Sequence, residues 1–160
     1  MCAKRAANLD ALVAYQFSLD ITEGPVRLSP LYFSELSGLG VEYQVIEHKT
    51  FSEKGLPLIQ LIPGRPTYAP VTLKRGVTTD LSLWQWHRMV YSGQLEQARA
   101  SVSITMYDGA YKAVFMWSLM RAWPSKLSGL QFSASSSDFL MQELTLVYEG
   151  IEEQKLGGGG

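Results

Sequence analysis

The sequence predicts a single, mainly β domain with one α-helix, and three observations carry that prediction. Apolar and polar residues alternate with a period of two in five separate stretches, the pattern of strands with one buried and one wet face. One segment, about 79–92, follows a helical period instead. At 160 residues, with 46% hydrophobic and 18% charged, the composition suits one globular core and neither a disordered chain nor a membrane span.

Tyr15, Phe17, Leu19 and Ile21 alternate with Gln16, Ser18, Asp20 and Thr22, and Val41, Tyr43 and Val45 repeat the pattern. Segment 48–56 has little periodicity and reads as a loop joining two strands, long enough for a contact-making role; it contains Phe51, Glu53 and Lys54. Pro63-Gly64-Arg65-Pro66 reads as a turn. Thr78-Thr79-Asp80 is an N-cap cluster for the helix, whose Ser82, Gln85, Arg88 and Ser92 share one side and which Gly93 can end. Tyr107-Asp108-Gly109-Ala110 turns the strand of Val102, Ile104 and Met106 into Lys112–Met120, apolar on both faces and expected to be covered on both. Leu130, Phe132 and Ala134 mark another strand, and the last one buries Leu144, Leu146 and Tyr148. The glycines 157–160 cannot pack a core.

Fourteen basic against fifteen acidic residues give a net charge of −1, which disfavours nucleic-acid binding through a basic face. Cys2, the single cysteine, allows neither an internal disulfide nor a cysteine metal cluster, and fits a reducing compartment. The apolar run after Lys4 and Arg5 is short and broken by Asn8 and Asp10, unlike a secretory signal. No stretch approaches the roughly eighteen apolar residues of a membrane helix. His48 and His87 lack ligand spacing, Ser34–Gly38 lacks the glycine of a nucleophile elbow, and Glu152 with Glu153 reads as a solvated pair. No catalysis, metal or cofactor is expected.

Trp84 and Trp86 point about 200° apart around a helix, so burying both requires cover on two sides, which an assembly partner can supply. Trp117 reads as core. The polar faces of two strands, Ser101, Ser103 and Thr105, and Gln131, Ser133 and Ser135, are small and uncharged, as suits either an ordinary solvated sheet or, in an assembly, a wet lumen that does not grip its contents.

Four motifs now carry a resemblance: Phe33-Ser34-Glu35-Leu36-Ser37-Gly38-Leu39; Thr72-Leu73-Lys74-Arg75-Gly76 followed by Asp80-Leu81-Ser82-Leu83-Trp84-Gln85-Trp86; Ala122-Trp123-Pro124-Ser125-Lys126 with Gly129; and Glu143-Leu144-Thr145-Leu146-Val147-Tyr148-Glu149-Gly150. In this order they resemble the inner tube proteins of contractile phage tails and contractile injection systems, a family similar to the type VI secretion tube protein. The resemblance covers residues 13–150, leaving 1–12 as a lead-in and 151–160 as a flexible tail. It implies a tail-tube fold, a small antiparallel β barrel or sandwich with one helix, forming stacked hexameric rings inside a contractile sheath. The implied partners are further copies of the chain, the sheath protein, baseplate or spike and terminal cap proteins, and DNA or protein cargo in the lumen. Assembly in the cytoplasm into a phage tail or injection particle follows, with no enzymatic activity and no membrane insertion. Phe51, Glu53, Lys54, Lys74, Arg75, Trp84 and Trp86 become the expected subunit or inter-ring contacts, and the two polar rows the lumen. A tube-initiator of the same family and a monomeric small-ligand β barrel are the alternatives; the second lacks convergent polar groups around a pocket.

Overall fold

A computed structural model describes residues 16–24, 30–76, 80–129 and 141–156. Its chain order begins β1 (Gln16–Glu23), β2 (Leu31–Phe33), β3 (Glu35–Ser37), β4 (Gly40–Phe51), β5 (Pro57–Ala69) and β6 (Val71–Gly76). Two helices follow, α1 (Ser82–Tyr91) and the short α2 (Leu95–Ala98), then β7 (Ala100–Tyr107), β8 (Ala113–Gly129), β9 (Met141–Val147) and β10 (Gly150–Lys155). The strand expected at 130–134, the cap residues Thr78 and Thr79, the lead-in 1–12 and the glycines 157–160 lie outside the described residues.

All strands but β4 and β5 belong to one antiparallel path, β2-β1-β7-β8-β9-β6-β3, with β10 added alongside β8. The long β8 lets that path fold into two layers. Its first half pairs with β7 on one side and β10 on the other; its second half, from Trp123, pairs with β9. Between the halves Arg121 takes a left-handed φ of 52°, which redirects the strand. At the opposite corner Ser34 separates β2, on β1, from β3, on β6, and its N–H donates to the Lys74 carbonyl at 2.9 Å. The path is not closed by pairing between its two end strands.

The core lies between the layers and follows the alternation. Leu19, Val102, Ile104 and Leu119 face Val71, Leu73, Leu144 and Leu146, all essentially inaccessible. Leu83 and Trp86 of α1 and Ala98 of α2 complete it, and the Trp86 Nε1–H donates to the Ala98 carbonyl at 2.7 Å. That bond satisfies the polar edge of a fully buried indole. Gly38, with φ 94°, ends β3 where a Cβ would stand 2.1 Å from the Pro70 carbonyl oxygen, so the turn admits only glycine.

Several sequence expectations need correction. Residues 48–51 are not loop but the end of β4; the connection shrinks to a tight turn, in which Ser52 accepts the Gly55 N–H and donates its own to the Leu56 carbonyl. Pro63-Gly64-Arg65-Pro66 lies inside β5 as a bulge. Residues 150–155 form β10 on β8, so Glu152 and Glu153 belong to a strand and ordered structure continues past 150. Lys112–Met120 is not covered on both faces, for Met120 stays 40% exposed. The helix holds to 82–91, but its N-cap position is Leu81, without a side-chain cap; Asp80, one residue earlier, accepts the Ser82 N–H at 3.0 Å and the Ser82 hydroxyl. Those bonds from Ser82, aided by Arg75, hold the Asp80 carboxyl below its usual value.

Candidate assembly surface

The β4–β5 hairpin is the part of the molecule that the chain itself does not explain. Its strands pair only with each other, from Gly40–Ala69 at the base to Phe51–Pro57 at the tip. At a rise of 3.3 Å per residue, the twelve residues of β4 span about 40 Å. A two-stranded ribbon with neither face covered is marginal in water. Yet this one carries ten of the seventeen exposed large apolar side chains among the described residues. None of the sixteen core residues lies on it.

Register turns that surplus into a face. Val41, Tyr43, Val45 and Phe51 stand opposite Tyr68, Pro66, Pro63 and Pro57, with Glu47 and Lys49 opposite Leu61 and Ile59. The reverse face alternates Glu42, Gln44, His48 and Gln60 with Ile46, Leu58 and Ile62. The bulge sets two β5 residues, Gly64 and Arg65, against Gln44, and a Cβ on Gly64 would come 2.9 Å from the Gln44 carbonyl oxygen. Three prolines in β5 fit an edge strand, since none of them can donate a ladder hydrogen bond. Among the described residues the base is tied to the body: the Tyr148 hydroxyl donates to the Ala69 carbonyl at 2.6 Å, and its ring meets Tyr68 at 5.7 Å. Burial pushes the Tyr148 phenol above its ordinary value. A period-two pattern was readable at 41–45, but prolines and the bulge masked its partner.

Of the expected contact residues, Phe51 is 74% exposed at the tip beside exposed Glu53 and Lys54. Lys74 lies on the outer face of β6, 3.7 Å from Glu35. Arg75 and Trp86 are corrections. Strand alternation turns Arg75 inward, where its Nε–H donates to Gln142 Oε1 at 2.8 Å and its guanidinium lies over the Phe33 ring; burial lowers its pKa, against the Asp80 charge. Trp86 is fully buried, so α1 needs no second cover on its account. Trp84 stays 40% exposed and meets His87 edge-on at 6.3 Å. Together with Leu81, Gln85 and Arg88 it lines an open groove of about 410 Å³ that the sequence reading did not single out.

The residues expected to line a lumen differ in exposure. Ser101 and Ser103 are half-exposed on the outer face of β7, but Thr105 is only 8% exposed, hemmed by Ser18 of β1 and Met116 of β8, its paired neighbours on that face. Gln131, Ser133 and Ser135 lie outside the described residues. Trp117 packs against the core and stacks on Phe115. Near the β8 bend, Arg121 binds Glu149 at 2.9 Å and Glu96 at 3.2 Å, and Arg99 binds Glu96 at 3.0 Å. These carboxylates, Glu96 foremost, raise the Arg121 pKa. Among the described residues no cluster of three His, Cys, Asp or Glu can hold a metal, and no helix is long and apolar enough to cross a membrane.

Comparison with known proteins gives this surface a context. The family model of the T4-like virus tail tube protein gp19 matches residues 13–152. A chain of the PVC extracellular contractile injection system, from its sheath–tube complex in the extended state, is 26% identical with a TM-score of 0.66, covering 88% of this chain and 88% of that one. A chain of the anti-feeding prophage (AFP) baseplate, six-fold symmetrised, is 22% identical with a TM-score of 0.66 over 88% and 92% of the two chains. Hcp1 from Salmonella typhimurium is 12% identical with a TM-score of 0.56 over 92% and 90%. The last two likenesses speak for the fold alone. No curated protein sequence matches the chain.

Proposed function

Since the chain belongs to the T4-like virus tail tube protein gp19 family, we propose that it polymerises into the inner tube of a contractile injection particle, as hexameric rings stacked end to end. The family is one of structural tube proteins, and the likeness to a PVC sheath–tube chain gives the same role. The observation that carries ring stacking is the uncovered hairpin. Its apolar face is too large to leave in water, no element among the described residues covers it, and its reach of about 40 Å exceeds the radius of gyration of about 15 Å of a compact chain this long. A neighbouring copy is the natural cover, and repetition around a closed ring satisfies every hairpin at once.

Within that tube, Ser101 and Ser103 line the bore, where small uncharged side chains let cargo pass without being held. Contacts to other subunits come from Phe51, Glu53 and Lys54 at the hairpin tip, with Lys74 on the outer face of β6 and Trp84 on α1. The sheath lies outside the tube, and baseplate and cap proteins occupy its ends, the components with which the PVC and AFP relatives were solved. Protein cargo is favoured over DNA by the likeness to an extracellular injection system. Assembly precedes release and takes place in the cytoplasm.

The experiment is to replace Lys49–Lys54 by a short Gly-Ser link and compare it with the parent by light scattering and electron microscopy. The parent is expected to form rings and tubes. The variant is expected to keep its far-UV spectrum and thermal midpoint and to lose ring stacking. Normal tubes from the variant would refute the role of the hairpin; a parent that stays monomeric at every concentration would refute the tube reading itself.

A further inference from the structure

We propose that the groove on α1 is the socket for the hairpin tip of a second copy, with Phe51 seated against Trp84 and Glu53 paired with Arg88. This rests on the tube reading and names the partner surface it requires.

Both halves of the contact are incomplete on their own. On α1, the core-facing side holds Leu83 and Trp86, while Leu81, Trp84 and Arg88 remain outside, 62% and 40% exposed for the first two. The groove they form, about 410 Å³, has room for an aromatic ring together with an aliphatic side chain. At the hairpin tip, Phe51 and Leu56 are 74% and 62% exposed and flank the turn that carries Glu53. The subunit's own tip cannot fill its own groove by folding back, because β4 and β5 stay paired up to Phe51–Pro57, and α1 packs on β8 and α2.

Charge sets the orientation. Arg88 is the one Lys or Arg on α1, and the helix has no acidic residue. Of the two charges in the turn, Glu53 and Lys54, only the acid finds a complement there. An aromatic and an acid on the tip therefore meet an aromatic and a base in the groove, the anchor-plus-rim pattern of a binding hot spot. The two patches lie on different parts of one chain, so the contact is head-to-tail: each copy offers one tip and one socket, and the series closes into a ring or runs on as a tube.

A charge swap tests it. Glu53→Arg and Arg88→Glu, each alone, are expected to raise the concentration needed for assembly of the full chain by roughly tenfold or more, and the double variant to recover most of that loss. Trp84→Ala is expected to weaken assembly at least as much while keeping the native far-UV spectrum. A second readout uses a Cys2→Ser background: Lys54→Cys and Gln85→Cys in one chain, which keep both aromatic anchors and the Glu53–Arg88 pair, should give a ladder of disulfide-linked oligomers on oxidation, and its absence from assembled protein would count against the socket. Parent tubes that form while Trp84→Ala and Arg88→Glu assemble as well as the parent would overturn the socket and leave the tube reading intact. Variant tubes of normal yield that fail to bind the sheath protein would assign the groove to the sheath instead, and would equally overturn the proposal. Absence of any assembly by the parent would overturn both.

Discussion

Replacing Trp86 by phenylalanine isolates what a single helix contributes to this β domain. The indole is fully buried and its Nε1–H donates to the Ala98 carbonyl across the turn between the two helices. Phenylalanine keeps most of the apolar contact but leaves that carbonyl without its donor, at a cost of about 1–3 kcal/mol. The smaller ring leaves a gap of about 40 Å³, worth about 1 kcal/mol at ~24 cal/mol per Å³. The sum, about 2–4 kcal/mol, corresponds to a fall in Tm of about 5–15 °C for a chain of this size. Urea unfolding followed by far-UV circular dichroism, at dilutions where the protein is monomeric, measures it without interference from the remaining tryptophans. Trp84→Ala in the same assay is expected to cost only about 1–2 kcal/mol, from the part of the ring that packs. In an assembly assay the order should reverse, with Trp84→Ala the more damaging at equal folded concentration. A loss below about 1 kcal/mol for Trp86→Phe would refute the claim that the buried indole joins α1 to α2.

Gly38→Ala should prevent folding or cost more than about 3 kcal/mol, since a backbone carbonyl blocks the Cβ at a positive φ; Gly55→Ala, at φ 74° but in open space, serves as the milder control, and equal effects in thermal melts would be inconsistent with the clash. Ser103→Lys should stay within about 1 kcal/mol of the parent, and Thr105→Lys should cost about 1–3 kcal/mol because its site is enclosed by paired strands; matched urea midpoints would show the row to be uniformly exposed. The Tyr148 phenol, raised by burial, contributes stability that is fully present below its unfolded value near 10 and is lost as the pH rises through the folded value. Tyr148→Phe should flatten that alkaline decline, and an unchanged slope would count against it. Asp80 acts in the opposite sense: its lowered value makes its contribution present above about pH 4 and lost on further acidification, so Asp80→Asn should make the acid limb of the stability curve shallower.

Much of the architecture was legible because burial in a sheet writes itself as alternation. Leu19, Val102, Ile104, Leu144, Leu146 and Tyr148 were readable as inward residues from a period of two, and the one helical stretch stood out for breaking it. Placing α2 was harder: four residues are too few to show a helical period. The assembly surface was legible at its tip and in the alternation at 41–45, but not as one hairpin. Phe51, Glu53 and Lys54 were singled out as loop residues, whereas the surface they end is a twelve-residue strand and its partner.

By itself, then, the sequence determined a mainly β domain with one principal helix, the inward positions of its alternating strands, and a family likeness spread over nearly its whole length. Local pattern suffices for these because each depends on which side of its own backbone a residue points. Only the tertiary structure decided what covers each face. Arg75 and Trp86 sit at positions whose pattern allows either outcome, and both turn out to be buried: Gln142, far away in sequence, accepts the Arg75 Nε–H, and the Ala98 carbonyl, beyond a turn, accepts the Trp86 Nε1–H. Val41, Tyr43, Ile59 and Leu61 alternate like core residues and are left exposed, because no second layer among the described residues reaches the hairpin that carries them. Periodicity records that a face is apolar; whether the chain or another molecule covers it is set by contacts between residues distant in sequence.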